Sequence, residues 1–370
     1  MINLLFSGDF VPPDEANETA GADFSSIREL IEGSDLHITN LESPLTSSGE
    51  ALIKTGPSIK ASPRGVEYLK MTKVGLACLA NNHIFDYGEG GLKETIEICE
   101  GNGIRVTGII SGDYLNRRSV IIEIKGVRIG FLNYCEHEFS VRERGMTGAY
   151  GFDYIDAFND IRALERMTDR IIVLYHGGNE YYHLPRPDLK RDFHFIADLG
   201  ADAVIGHHTH VFSGIEIYDG KPLVYSLGNF FFLPFEEEPE SWHEGILCRL
   251  SIGESVSAEL IPVIQCKNGL RVEFPTEERS KEILSEIRFL SEVISDAAEL
   301  QRRWELYTST AGTGLANQIL YPSRADKLML RIPWLRRHVD NPARLRSLIN
   351  VLRCRSLEQL LIGNLKSRKW

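Results

Sequence analysis

The sequence predicts an α/β fold, a sheet covered by helices on its faces, followed by an all-helical extension. Three observations carry this. Short apolar runs of strand character alternate with amphipathic helical patterns through the first two-thirds of the 370 residues. Turn pairs such as Lys125-Gly126 and Asp219-Gly220 separate some of them. From about residue 276 the strand pattern stops and only helical periodicity continues.

In order, "INLLFSG" reads as a strand and "FSSIRELIEG" as an amphipathic helix ending at Gly33. "DLHITNLE" is a strand, "RGVEYLKMTK" a helix and "VGLACLANN" a buried strand. "GEGGLKETIEICEGNG" is a helix with glycines at both ends, and "RSVIIEIKGVRIGFLNY" is two strands around the Lys125-Gly126 turn. Then come a helix "DAFNDIRALERMT", a strand "RIIVLYHGG", a helix "DLKRDFHFIADLG" and a strand "ADAVIGHH". "GIEIYDGKPLVYSLGNFFF" reads as a hairpin about Asp219-Gly220, followed by strands in "GILCRLSI" and "SAELIPVIQ". The expected units are residues 1–268 and a basic helical extension over 276–370.

Composition narrows the class. At 43% hydrophobic and 25% charged residues the chain is an ordinary globular protein. Its net charge of −11 is uneven: residues 320–370 hold 12 Lys/Arg against 3 Asp/Glu, leaving −20 on the remainder. An acidic body does not suit nucleic acid; the basic tail could meet an anionic lipid surface, an acidic polymer or the acidic body itself, and the last is favoured. Six scattered cysteines form no C-x-x-C and read as reduced core residues. No stretch has the ~18 apolar residues of a membrane helix, and the N-terminus lacks a signal-peptide pattern. The expectation is a cytoplasmic protein, at most membrane-peripheral through its basic helices, with oligomeric state undetermined.

The chemistry gathers where strands finish. Asp9 ends the first; Asn40 and Glu42 end the second, two apart and so on one side of an extended chain. Asn81, Asn82 and His83 end the third, with Asp86 three residues on. His176 ends a fourth, followed by Glu180, and His207-His208 end a fifth, followed by His210. Each element alone is ordinary turn chemistry; five strand ends carrying Asp, Glu, Asn or His together are not. A His/carboxylate/amide set without cysteine suits Mn²⁺, Fe²⁺ or Zn²⁺. So many candidates leave room for two ions sharing a carboxylate.

The ordered segments "GDF", "TNLESPLT", "LANNHIFDYGEGGLKETIE", "YHGGNEYYHLP" and "LGADAVIGHHTHVFSGIEIYDGKPLVYSLGNFFF" resemble the motifs of the CapA family. These are bacterial capsule- and poly-γ-glutamate-synthesis proteins related to the calcineurin-like metallophosphoesterases, and the resemblance spans roughly residues 3–265. It implies a four-layer α-β-β-α sandwich with one or two divalent metal ions at the strand ends. It places Asp9, Glu42, Asn82, His176, His208 and His210 in ligand positions, with Asp9 or Glu42 bridging. His83 would protonate a leaving group or hold an oxyanion, oriented by Asp86; Glu180 would be an acid beside the ligands or a base, and Asn229 would support the site. His207 falls to structure or the rim. The family's relatives carry Asp-x-His at the first strand where this chain has Asp9-Phe10-Val11, so one ion remains an alternative to two.

The expected function is that of a metal-dependent hydrolase. A metal-activated water would attack a phosphoester or a poly-γ-glutamate-type amide of a small or polymeric anionic substrate, in capsule or polymer biosynthesis. The alternative is a non-catalytic accessory protein that binds an acidic polymer or a partner biosynthetic enzyme, with the basic C-terminal helices as one place of contact. Lys54, Lys60 and Arg64 lie between the second and third strand ends, where one could pair with an anion; a solvated surface position is the expectation. His37, His137, His183, His194, His243 and His338 are expected in helices or loops with structural or surface roles.

Overall fold

The computed structural model describes residues 1–13, 21–54, 56–112, 116–142, 145–234, 237–320 and 342–367. The chain opens with β1 (Ile2–Val11), α1 (Arg28–Glu32), β2 (Leu36–Leu41), α2 (Val66–Met71), β3 (Val74–Cys78), α3 (Gly88–Gly101) and β4 (Arg105–Thr107). It continues with β5 (Ile109–Ile110), β6 (Ser119–Ile124), β7 (Val127–Cys135), β8 (Gly148–Ala149), α4 (Tyr154–Glu165), β9 (Arg170–His176) and α5 (Pro187–Asp198). Next are β10 (Ala203–His207), β11 (Ile215–Tyr218), β12 (Lys221–Val224), β13 (Asn229–Phe232), β14 (Glu244–Ile252), β15 (Val256–Gln265) and β16 (Val272–Glu273). Four helices close the described chain: α6 (Glu277–Ser295), α7 (Ala297–Leu320), α8 (Pro342–Arg353) and α9 (Arg355–Ser367).

Two sheets form the centre of a four-layer sandwich. The first runs β16-β15-β14-β1-β2-β3-β4, and the second β11-β12-β10-β9-β7-β6. Parallel neighbours need helical crossovers: α1 and α2 link β1–β2–β3, and α3 leads to β4, in the first sheet. In the second, α4 links β7 to β9 and α5 links β9 to β10. Strands covered on both faces carry apolar runs at their centres; Leu4, Leu5, Phe6, Ile172, Val173, Leu174, Val204 and Ile205 are all fully buried. Helix starts follow the local signals: Asp153 caps α4 by accepting from the Ile155 and Asp156 amides, and α5 begins at Pro187.

The predicted turns have a backbone reason. Lys125 and Gly126 (φ 52° and 82°) and Asp219 and Gly220 (φ 49° and 74°) pair positive φ values, as type I′ hairpin turns need. One expectation is corrected. The hairpin about Asp219-Gly220 ends at Val224, and Asn229–Phe232 crosses to the first sheet to run parallel to β1. The aromatic run finds its burial there: Phe231 lies 5.4, 5.1 and 5.3 Å, centroid to centroid, from Phe10, Phe24 and Tyr68.

Beyond the sheets, Thr276 caps α6, whose Ile283, Ile287, Leu290 and Ile294 form one buried stripe in the same core as the sheets. Asn364 of α9 donates to the Thr308 and Ser309 carbonyls of α7 at 3.1 and 3.0 Å. The basic segment 321–341, and His338 with it, lies outside the described residues. No described helix is long and apolar enough to cross a membrane. All six cysteines are buried and unpaired.

Candidate metal centre

Because β1, β2 and β3 run parallel, as do β9 and β10 in the facing sheet, their C-terminal ends share one rim. Side chains bridge the rim: His207 Nε2 lies 3.2 Å from the Ser7 carbonyl, and the His208 amide donates to Asp9 Oδ2 at 3.2 Å. β1 reaches the rim with a bulge. Ser7 pairs with Thr39 and Asp9 with Asn40, so Gly8 is the extra residue that re-aims Asp9. Only glycine fits there, since a Cβ on Gly8 would fall 1.9 Å from the Gly228 carbonyl oxygen. Gly206 is forced likewise, its Cβ falling 2.1 Å from the Tyr225 carbonyl oxygen. His208 and His210 adopt positive φ (97° and 59°), a conformation that costs about 1–3 kcal/mol and persists where surroundings hold it.

All six expected ligand residues come together and are buried. Glu42, His176 and His208 offer ligand atoms within 4.8 Å of one another, and so do Asp9, Glu42 and His210. Glu42 belongs to both groups, which makes it the shared carboxylate of two adjacent positions. His176 Nε2 lies 2.9 Å from Asn82 Oδ1, 3.0 Å from His208 Nδ1 and 3.5 Å from Glu42 Oε1. His210 Nδ1 lies 3.4 Å from Asp9 Oδ2 and 3.0 Å from Asn229 Oδ1. Asn40 donates to Asp9 Oδ1 at 2.8 Å. His207 is turned away, under the rim.

The electrostatics fit a bound cation. Burial, reinforced by Asp9, Glu180 and Glu138, pushes the Glu42 carboxyl well above its ordinary pKa. Burial also raises Asp9, but the hydrogen bond and field of His210 outweigh it and hold the carboxyl below its usual value. Burial lowers His208 to about 4 and His176 well below 6.5; it opposes but does not prevent a rise at His210, where Asp9 prevails. Both Glu42 oxygens are buried without a hydrogen-bond partner among the described residues. A carboxylate is not left so unless a cation or proton compensates it. Two carboxylates, three imidazoles and one amide oxygen suit a borderline divalent ion.

His83 stands beside this cluster. Its Nδ1 lies 2.7 Å from Asp86 Oδ2, which also accepts from the Ile59 amide at 2.8 Å. Burial pulls the His83 pKa down against the Asp86 hydrogen bond. Lys54 corrects the expectation of a solvated surface residue: its side chain is 2% exposed and ion-paired with Asp86. The turn that carries Asp86 also binds the 52–59 loop, through the Leu52 and Ile59 amides, and so draws Lys54 inward. Burial lowers the ammonium pKa despite that pair. His37 is likewise not in a helix or loop but buried in β2, Nδ1 2.7 Å from the Thr72 carbonyl and Nε2 2.9 Å from Ser7 Oγ. Glu180 is exposed at the mouth of the cavity that His83 and Lys54 line.

Sequence reasoning missed Glu138. It follows β7, Oε1 3.5 Å from His208 Nε2, and burial with Glu180 and Glu136 raises its pKa to about 8. The signal was present: "NYCEHEF" is a sixth strand end with two acids. The place of the C-terminal helices was open in the sequence, and they form a wall of the site. Tyr307, Cys354, Ser356 and Leu357 line the cavity of about 390 Å³ opposite Asn82 and His208. Asn179 donates to the Ser356 carbonyl at 3.3 Å, and Arg355 Nη1 lies 2.9 Å from the buried Asp192.

The family described as bacterial capsule synthesis protein PGA_cap matches residues 3–233. The chain belongs to this family. Among its relatives, the PGA biosynthesis protein CapA of Bacillus subtilis is 27% identical over 242 residues, 63% of each chain. The capsule biosynthesis protein CapA of Bacillus anthracis is 24% identical over 219 residues, 56% of this chain and 53% of that one. A Mycobacterium tuberculosis protein named for an accessory role in polyglutamine synthesis is 29% identical over 208 residues, 53% and 55% of the two chains. The chain thus spans less than two thirds of the length of these relatives. Solved structures similar to it include a phosphatase from Mycoplasma pneumoniae (TM-score 0.45, 17% identity, 75% of this chain and 96% of that). Another is the 5′-nucleotidase precursor from Thermus thermophilus (TM-score 0.44, 14% identity, 92% and 68%). The six candidate ligand residues lie inside the PGA_cap match; the C-terminal wall lies outside it.

Proposed function

We propose that the protein is a metal-dependent hydrolase that cleaves a phosphoester in capsule or poly-γ-glutamate-type polymer biosynthesis. One observation carries the reading: Glu42 is fully buried, hydrogen-bonded through neither oxygen among the described residues, and common to two groups of candidate ligand residues. Asn82, Glu42, His176 and His208 would hold one divalent ion, and Asp9, Glu42 and His210 a second. Such ions supply Lewis acidity to a phosphoryl oxygen and lower the pKa of water.

The chain's own groups do the rest. Asp86 fixes the His83 Nδ1 proton, so the imidazole presents Nε2 to the cavity, where it takes a proton or hands one to a leaving oxygen. Lys54 anchors Asp86 and places its amino group on the cavity wall as a hydrogen-bond donor for an anionic substrate. Glu180 stands exposed at the cavity mouth. The Lys54 amino group and the paired ligand groups favour a phosphoryl group over an amide.

The test is hydrolysis of p-nitrophenyl phosphate and bis(p-nitrophenyl) phosphate by the full chain, with Mn²⁺ and with chelator. Turnover that appears with Mn²⁺ and disappears with chelator is expected. A metal-loaded protein without turnover on either ester would favour the second reading, a binding protein without chemistry, which the accessory name of the mycobacterial relative favours.

A further inference from the structure

The metal cavity has a neighbour. A second cavity of about 680 Å³ opens on the other side of Glu138, which lines both. Its remaining walls include His137, Arg142 and Met146 from the loop after β7, and Leu352 and Arg353 from the end of α8. Glu138 is the one acid among its described lining residues, against two guanidinium groups.

Among the described residues neither Arg142 nor Arg353 makes a salt bridge. The Arg142 Cζ lies 5.2 Å from the centroid of the buried Phe85 ring, and its Nε is buried without a hydrogen-bond partner. Arg353 is exposed at the rim of the same space. His137 Nε2 is taken up by the Phe152 carbonyl at 3.1 Å. A planar guanidinium held on an aromatic face and paired with no described acid matches a phosphate or carboxylate. In a chain of net charge −11 such a local excess of positive charge is a specific feature rather than a general one.

We propose that this chamber binds an acidic group, a phosphate or a carboxylate, through Arg142 and Arg353. It thereby holds the second anionic group of a substrate whose first group lies at the metal ligands. The substrate class that follows is a molecule with at least two separated acidic groups. Arg353 gives part of the basic C-terminal segment a place at the site. The assignment of the chamber to the substrate rests on the metal-site reading; its capacity to bind an anion does not.

The experiment therefore removes the metal. The full chain, stripped with chelator and dialysed, is titrated calorimetrically with inorganic phosphate and, in a second arm, with acetate. One saturable phosphate site is expected, weakened about tenfold in the double variant Arg142→Gln/Arg353→Gln, as losing charge-assisted hydrogen bonds implies. Arg353→Gln alone, at an exposed position that does not endanger folding, should weaken it severalfold. Acetate that competes at similar strength identifies a carboxylate site, and acetate that does not identifies a phosphate site; both support the chamber. Absence of saturable phosphate binding, or binding indifferent to both arginines, overturns it. A protein that binds phosphate here but hydrolyses nothing would lose the proposed function and keep the chamber.

Discussion

Glu42→Leu should make the metal-free protein more stable while destroying its response to metal. The native carboxyl is fully buried, and among the described residues neither oxygen has a hydrogen-bond partner. A buried polar group left unsatisfied costs about 1–3 kcal/mol. Two such oxygens would sum to more, but burial favours the protonated carboxyl and so recovers part, and we expect a net gain of about 1–3 kcal/mol for leucine. At about 2–4 °C per kcal/mol for larger domains, the metal-free variant should melt roughly 2–12 °C above the native chain. Added Mn²⁺ at one hundred times its Kd would stabilise the native protein by about 2.7 kcal/mol and the variant not at all. Calorimetric melting of both proteins in chelator and in Mn²⁺ reads both effects. A variant less stable than the native chain in chelator, with the Mn²⁺ shift intact, would refute the assignment of Glu42 as the shared ligand.

Three further outcomes follow from other parts of the structure. His83→Gln should lower turnover by about 10²–10⁴-fold while keeping the Mn²⁺-induced rise in Tm; native turnover would remove His83 from proton transfer. Gly8→Ala places a Cβ 1.9 Å from a backbone oxygen. It should cost about 3 kcal/mol or more in urea unfolding and displace Asp9, whereas an unchanged midpoint would mean the bulge can open. Burial pulls His37 down from 6.5 to about 4, so its neutral form contributes stability that is complete above pH 6.5 and lost as pH falls through 4. That loss is about 3 kcal/mol. His37→Gln should flatten this part of the stability curve relative to the native chain, a difference that sets aside the other buried histidines; identical curves would contradict it.

The strand ends were legible because a parallel sheet puts every C-terminal strand end on one rim, so Asp9, Glu42, Asn82, His176 and His208 could be grouped from order alone. Their registers were not. Which carboxylate belongs to both ligand groups depends on the Gly8 bulge, a one-residue slip that appears in no periodicity. Lys54 looked like a surface lysine because nothing local to "LIKTGPS" marks its pairing with Asp86, 32 residues on. The crossing of Asn229–Phe232 to the other sheet was hidden for the same reason. "NFFF" follows a hairpin strand in sequence, but its aromatic partners Phe10, Phe24 and Tyr68 are distant in the chain. Glu138 was the avoidable omission, since "NYCEHEF" ends a strand just as the others do. The wall made by Cys354, Ser356 and Leu357 arises from tertiary docking alone, through contacts such as Arg355 with Asp192.

The central claim is a metal centre built around Glu42, and metal content tests it most directly. The full chain, loaded with Mn²⁺ and freed of excess, should retain two ions per molecule by elemental analysis. Glu42→Leu should retain essentially none, because it removes a ligand from both groups. A native chain that retains no ion, or a Glu42→Leu variant that retains as many as the native chain, would contradict the account.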